Sequence, residues 1–398
     1  MKILHVIASV DPSGGGPIEG VVMSSETWRR HGHTRHIVCL DPPHSQWVQT
    51  CPVPTFAVGI AGKWHVLLKQ LIPLLRYAYS PWLKKWLRAH VHEYDAVIIN
   101  GLWNYSSFGS WRALGHTDVT YVVFTHGMLD PWFNKTYPIK TFFKTIYWKL
   151  FEHRVLRDAR AVLFTSEEER RLAQHSFAPY MAREIVVGYG TRDDFGDPAT
   201  EIAAFFEKAP RARGRRLMLF LSRIHPKKGV DLLIQAFSRL AGEFPEFDLV
   251  IAGPDQVGWQ ATLEKLARQL GVAERIHWPG MLLGDPKWGA FRAAEFFVLP
   301  SHQENFGIVV SEAMAIGRPV LVTNKVNIWR EIEQDGAGLV VDDNAEAVET
   351  AMRTLCSLSA EAAAEMGARA RRCFVERYDL DRNAMQLLEL LTKLRGET

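Results

Sequence analysis

Cysteine is scarce in this chain, with Cys39, Cys51, Cys356 and Cys373 the only four in 398 residues. They form no C-x-x-C and keep no metal-ligand spacing with histidine, which argues against a cysteine-based metal site and makes a reducing cytoplasm the simplest setting. Net charge is also small, 47 basic residues against 44 acidic ones, or +3. That balance argues against a dedicated nucleic-acid binder. The apolar run at the start, Met1–Val10, is too short for a membrane span and is soon followed by Asp11 and glycines. It reads as a first buried strand. No short repeat or low-complexity tract stands out. The dinucleotide fingerprint is missing as well: counted from Gly14, G-x-G-x-x-G needs glycine where Glu19 stands, which weakens any dehydrogenase reading. No Asp-x-Asp pair occupies a strand-end loop, since Asp379–Leu380–Asp381 falls at the start of the terminal helix.

What is present is a regular alternation. With 47% apolar and 23% charged residues, the chain is long enough for two domains, each with its own core. Apolar runs predict strands at Lys2–Ala8, His36–Leu40, Ala96–Asn100, Tyr121–Thr125, Ala161–Thr165 and Glu184–Val187. A second set follows at Arg216–Ser222, Asp248–Ala252, Arg275–Trp278, Phe296–Pro300, Pro319–Thr323 and Gly338–Val341. Helical patterns separate them, so the fold class is α/β, with two doubly wound parallel sheets. The polar stretch from Gly190 to Arg215 breaks the alternation. The expected division is a first domain over 1–195, a linker over 196–215, a second domain over 216–377 and a terminal helix over 378–398. Sheets of this kind bind ligands beyond the C-terminal ends of their strands.

The most informative run is Pro300–Ser301–His302–Gln303–Glu304–Asn305–Phe306–Gly307, continued through Glu312. It sets Glu304 in a loop after a strand and Glu312 eight positions later in the next helix, so both acids are expected to face one small volume. Asn305, Phe306 and Gly307 open that helix, and its free N–H groups suit the phosphate of a phosphorylated sugar while the acids take hydroxyls. Taken singly, each glutamate reads as a loop or solvated helix acid.

The full run resembles the E-x7-E signature of retaining glycosyltransferases of the GT-B fold, the family-4 or group 1 type. The resemblance extends to Gly317–Arg318–Pro319–Val320, Glu331–Ile332 and Asp335–Gly336–Ala337–Gly338–Leu339. It implies two Rossmann-like domains facing across a deep cleft, with the last helix crossing back to the first domain. Ser222–Arg223–Ile224–His225–Pro226–Lys227–Lys228–Gly229 resembles the family's basic strand-end element. Arg223 and Lys228 are therefore expected to bind the donor diphosphate and to neutralise it as it leaves, where a plainer reading is a solvated basic turn.

Gly15 and Gly16, in Asp11–Pro12–Ser13–Gly14–Gly15–Gly16–Pro17, follow the first strand and offer backbone N–H groups to an anion, or form a simple tight turn. His126, in Thr125–His126–Gly127–Met128–Leu129–Asp130, matches a histidine found beside the donor sugar in many family members. It is expected to position the sugar. Asn100, Trp103 and Asp130 are acceptor-site candidates, with Trp103 equally able to be core.

The expected activity is transfer of a hexose from a nucleotide-diphosphate sugar, such as GDP-mannose or a UDP-hexose, to a glycan hydroxyl, with retention. By resemblance, the acceptor attacks on the face the leaving group departs from, and a donor phosphate oxygen takes its proton. Glu304 supports the sugar and Glu312 holds the ribose. No metal and no further cofactor are expected. A nucleotide-sugar epimerase and a non-catalytic nucleotide- or glycan-binding protein are the alternatives.

Between Lys63 and His92 there are six Lys or Arg residues and no acid, interleaved with Trp and Leu. A second such region, Lys135–Lys149, carries Phe142, Phe143 and Trp148. These suggest peripheral contact with the anionic inner face of the cell membrane and a lipid-linked acceptor in bacterial surface-polysaccharide synthesis. The competing reading is ordinary helices packed on the first sheet.

Overall fold

The computed structural model describes residues 1–12, 15–60, 77–115 and 117–397. The chain forms two compact units, Met1–Tyr189 together with the segment from Leu380 onward, and Gly190–Asp379.

In the first unit seven parallel strands lie in the order β3-β2-β1-β4-β5-β6-β7. They are β1 (Lys2–Ile7), β2 (Thr34–Cys39), β3 (Thr55–Ala57), β4 (Ala96–Asn100), β5 (Tyr121–Phe124), β6 (Ala161–Phe164) and β7 (Glu184–Val186). The second unit holds six, ordered β10-β9-β8-β11-β12-β13. These are β8 (Arg216–Leu221), β9 (Phe247–Ala252), β10 (Ile276–Gly280), β11 (Ala294–Leu299), β12 (Val320–Thr323) and β13 (Gly338–Val341). Central strands such as β4, Ala-Val-Ile-Ile-Asn, are buried along their whole length, because helices cover both faces of a parallel sheet. The sequence reading missed β3, a three-residue edge strand too short to show a periodic pattern.

The helices that matter for the site are α1 (Gly16–Arg30), α2 (Pro81–His90), α3 (Tyr105–Leu114), α4 (Pro138–Tyr147), α5 (Pro198–Lys208), α6 (Val230–Leu240), α7 (Asp285–Ala293), α8 (Ile308–Ala315) and α9 (Leu380–Gly396). Helix α9 lays Ala384, Leu388, Leu391 and Leu394 on Ile3, Ala96, Ile98 and Val122 of the first sheet. That spacing is one helical face. Each buried leucine contributes about 1.5–3 kcal/mol, more than a single polar tie such as the Trp28 Nε1–H bond to the Ala384 carbonyl.

The linker expected at 196–215 is instead part of the second unit. Asp197 caps α5 by accepting from the Thr200 N–H at 2.9 Å, and Pro198 occupies the first turn, where a missing N–H costs nothing. The helix then packs closely on α7. A Cβ at Gly289 would stand 1.9 Å from the Glu201 carbonyl oxygen, so only glycine permits this approach. Glu201 is fully buried and ion-paired with Arg292, while its other oxygen accepts from Gly196 N–H at 2.7 Å. A polar composition here marks a buried charge network, not a tether.

Candidate active site

In each sheet the strand order reverses beside a central strand, between β1 and β4 in the first and between β8 and β11 in the second. Loops diverge from the strand ends at such a point and leave a crevice.

In the second unit that crevice is built by two touching loops. After β8 the chain makes a tight turn at Pro226–Lys228 and reaches Gly229, at φ 66°. A Cβ there would meet the Pro300 carbonyl oxygen at 2.0 Å. Glycine thus satisfies both the left-handed backbone and the contact with the loop after β11. A hydrogen bond from His302 N–H to the Lys227 carbonyl, 2.9 Å, ties the loops together.

This contact brings Lys228 onto Glu304 as an ion pair, with side-chain exposures of 7% and 20%. Burial pushes the Glu304 carboxyl up, but the charge and hydrogen bond of Lys228, with Lys227 and Arg223 nearby, outweigh it and hold it below its ordinary value. Glu304 is fixed further by its backbone: its N–H donates to the Lys325 carbonyl at 2.9 Å, and Asn327 N–H donates to its carbonyl at 3.0 Å. Arg223 is exposed, its guanidinium 3.3 Å from Gln256 Oε1. The pair and the exposed arginine form a basic, partly covered strand-end site.

Gly307 caps α8 at φ 70°, and Phe306 is buried edge-on against Tyr378. Asn305 Oδ1 accepts from Asn327 Nδ2 at 3.3 Å. Glu312, inside α8, is buried and pairs with Lys287 of α7 at 2.6 Å. The two glutamates are therefore held by different lysines. Lys287 carries no motif in the sequence, and only its place in the first turn of α7 explains its reach.

In the first unit, Gly15 has φ 76° and Gly16 begins α1, and a Cβ on either would meet none of the described residues within 4 Å. Ser13 and Gly14 of the same loop lie outside the described residues, as does 61–76 of the basic aromatic segment 63–92. The described remainder of that segment, α2, buries Leu83 and Leu87 in the core and exposes Trp82, Lys85 and Arg88.

His126 follows β5 in a left-handed conformation, φ 50°, and stacks on Phe124 with ring centroids 4.6 Å apart. Non-glycine residues pay for this backbone, and the surroundings must impose it. Here the buried Glu169 does so, accepting from Gly127 N–H at 2.5 Å, Thr125 Oγ1 at 2.7 Å and Thr165 N–H at 2.7 Å. Burial lowers the His126 pKa to about 4, so the ring is neutral at physiological pH.

The three acceptor candidates are each engaged by their own surroundings. Asn100 is buried, and its amide is spent on His5, His126 and backbone carbonyls. Asp130 is buried and accepts from Trp132 N–H at 2.8 Å in a local turn. Trp103, at φ 69°, donates from Nε1 to the Met128 carbonyl and packs against Trp148 and Phe177. Its backbone N–H donates to the buried Glu152, which also accepts from Ser107 Oγ at 2.6 Å. Burial pushes the Glu152 carboxyl up to about 7. These residues shape the wall behind the strand ends.

The comparisons with known proteins agree with this geometry. The profile of glycosyl transferases group 1 matches residues 201–395, and that of the glycosyl transferase 4-like domain matches residues 15–190. D-inositol 3-phosphate glycosyltransferase of Corynebacterium urealyticum is 25% identical over 84% of this chain and 80% of its own length. The protein of the same name from Geodermatophilus obscurus is 30% identical, over 54% of this chain and 51% of its own. The more identical match thus spans about half of each protein. Among solved structures, a glycosyltransferase from Rickettsia africae ESF-5 superposes with TM-score 0.77 at 18% identity, covering 100% of this chain and 99% of the other. Anabaena Alr3699/HepE, in complex with UDP and glucose, gives TM-score 0.73 at 19% identity over 98% and 99%. At such identities the likeness shows the fold, while the two profiles together span nearly the whole sequence: the chain belongs to the group 1 glycosyltransferases of the GT-B fold.

Proposed function

We propose that this enzyme transfers a hexose from a nucleotide-diphosphate sugar to a glycan hydroxyl, with retention at the anomeric carbon and no metal ion. The observation that carries the reading is the Lys228–Glu304 pair at the end of β8 and β11, with Arg223 exposed beside the same turn. As the glycosidic bond breaks, negative charge gathers on the diphosphate. Arg223 and Lys228 would absorb it, helped by the N-terminal N–H groups of α8 beyond Gly307. The acceptor proton passes to a donor phosphate oxygen, so no protein base is needed. Glu304 supports the sugar, Glu312 takes the ribose hydroxyls and the neutral His126 positions a sugar hydroxyl. The Anabaena structures with UDP, glucose and UDP-glucose support a donor of this class.

For the acceptor, the reading is a lipid-linked glycan met at an anionic membrane surface. The support comes from α4 and the turn after it. Ile139, Phe142, Phe143, Ile146 and Leu150 are exposed, Ile139 by 77% and Phe143 by 65%. Lys135, Lys140, Lys144 and Lys149 accompany them, with no acid between Asp130 and Glu152. An apolar helix face turned to solvent and edged by lysines suits the headgroup region. Among the described residues no helix is long and apolar enough to cross a membrane. The relatives' name supplies the competing acceptor, D-inositol 3-phosphate.

Purified enzyme should release nucleoside diphosphate from UDP-glucose or GDP-mannose only with acceptor present, and the sugar should appear on a lipid-linked glycan. Transfer to D-inositol 3-phosphate alone would overturn the acceptor reading. Isomerised donor without acceptor would show an epimerase instead.

A further inference from the structure

A chain of hydrogen bonds runs from the buried interior of the first sheet to His126. Asn100, at the end of β4, sits between two histidines. Its Oδ1 is 3.2 Å from His126 Nε2, and its Nδ2 is 3.1 Å from His5 Nδ1. The amide's orientation is fixed by a third group. Nδ2 also lies 3.1 Å from the Ile98 carbonyl oxygen and 3.4 Å from that of Val6. Turned over, the amide would set oxygen against two carbonyl oxygens, which repel it.

That orientation decides both tautomers. An amide oxygen only accepts, so His126 Nε2 must carry the proton. An amide nitrogen only donates, so His5 Nδ1 must be the bare nitrogen. His5 then has its proton on Nε2, which has no hydrogen-bond partner among the described residues; the residue also lines a cavity of about 50 Å³ together with Arg35 and His126. Burial, together with the charge of Arg35, disfavours the imidazolium at His5. Protonating His5 at Nδ1 would break its bond to Asn100, so the chain holds only in its neutral form.

We propose that Asn100 and His5 are positioning residues that hold His126 in the Nε2–H tautomer, leaving Nδ1 as a fixed hydrogen-bond acceptor for a substrate hydroxyl. The inference rests on the reading of His126 as a sugar-positioning residue. It adds a polarity to that contact: the hydroxyl donates and the imidazole accepts. A substrate analogue with a pure acceptor in place of that hydroxyl, such as a fluoro-sugar, would lose the bond. A free imidazole could instead switch tautomer and adapt. The relay trades adaptability for a set direction.

The test is ¹⁵N spectroscopy of the histidine side chains in the full-length enzyme, with the His126 signals identified by their absence in His126→Gln. Wild type should show Nε2 protonated and Nδ1 bare. Asn100→Leu should release the preference to a mixture and lower kcat about tenfold or more, with donor KM changed less than threefold. Asn100→Asp, which keeps an acceptor toward His126 but sets an oxygen against the Ile98 and Val6 carbonyls, should keep the Nε2–H tautomer while lowering the melting temperature. An Nδ1–H tautomer in wild type, or an unchanged tautomer in a folded Asn100→Leu, overturns the relay. Full turnover in His126→Gln, with the wild-type tautomer as stated, would support the relay and overturn only the role of His126 at the sugar.

Discussion

Lys228 and Glu304 form an ion pair across two strand-end loops, and the contact exists because Gly229 lets its turn rest on the Pro300 carbonyl. The Lys228 side chain, which the proposed reading assigns to the diphosphate, is thus held in place by a carboxylate. Removing one partner strands the other in a poorly hydrated place. Lys228→Ala should lower kcat/KM by about 10²–10³, the scale for losing one charge-stabilising donor, and should also lower the melting temperature. Pairing it with Glu304→Gln should recover stability but not turnover. A double variant as unstable as the single one would show that the pair is not what Lys228→Ala disturbs.

On the proposed reading, Arg223 and Lys228 supply the positive charge that a metal would otherwise bring, so turnover should continue in excess chelator. Loss of activity on chelation, restored by magnesium or manganese, would refute metal independence.

Glu304 and Glu312 should separate by experiment, being held by Lys228 and Lys287 respectively. Glu312→Gln should weaken nucleoside-diphosphate affinity about tenfold, about 1.4 kcal/mol, by calorimetry. Glu304→Gln should leave that affinity within about threefold and lower kcat. Equal losses of affinity in both would contradict the division.

Glu152 gives a pH signature. Its carboxyl stays protonated in the fold up to about pH 7 but ionises near its ordinary value, 4.5, when unfolded. The folded state therefore holds the extra proton between these values, and Glu152 costs stability progressively as pH rises through that window. Glu152→Gln keeps an acceptor for Trp103 N–H and Ser107 and has nothing to ionise. Its melting temperature should match wild type near pH 5 and exceed it by several degrees at pH 8. A constant difference across pH would show that burial does not hold the proton.

The exposed face of α4 predicts co-sedimentation with anionic vesicles, released by salt because screening shortens the reach of exposed charges to about 10 Å at 0.1 M. Phe142→Ser with Phe143→Ser should abolish binding, and reversing Lys135, Lys140 and Lys149 to Glu should abolish it too. Activity on a short soluble acceptor should survive in both. Wild type that ignores such vesicles would remove the membrane from the account.

Most of the fold was legible because buried parallel strands are written as continuous apolar runs, and each of the twelve expected runs overlaps a strand of the two sheets. β3 was not, since three edge residues carry no period. The helix α5 was hidden for a different reason: its buried side presents Glu201, and a buried glutamate looks like a solvated one until its arginine is known. At the candidate site, the strand-end motifs singled out Arg223, Lys228, Glu304 and Glu312. Sequence could not show which lysine serves which acid, because Lys287 lies far from both motifs. His5 and Asn100 did leave a trace, as polar residues within apolar runs, but the amide orientation that gives them meaning depends on backbone carbonyls that no sequence displays.

Helix α9 has a consequence for synthesis. The first sheet is made first, yet the seventeen residues of Leu380–Gly396 that cover Ile3, Ala96 and Val122 come last. About 190 residues of the second unit leave the ribosome in between, roughly 10–40 s at ~5–20 residues per second. For that interval a row of strand side chains waits for its cover, so the nascent chain should be a chaperone client until its final helix emerges. The unit translated second is thus the one able to finish folding first.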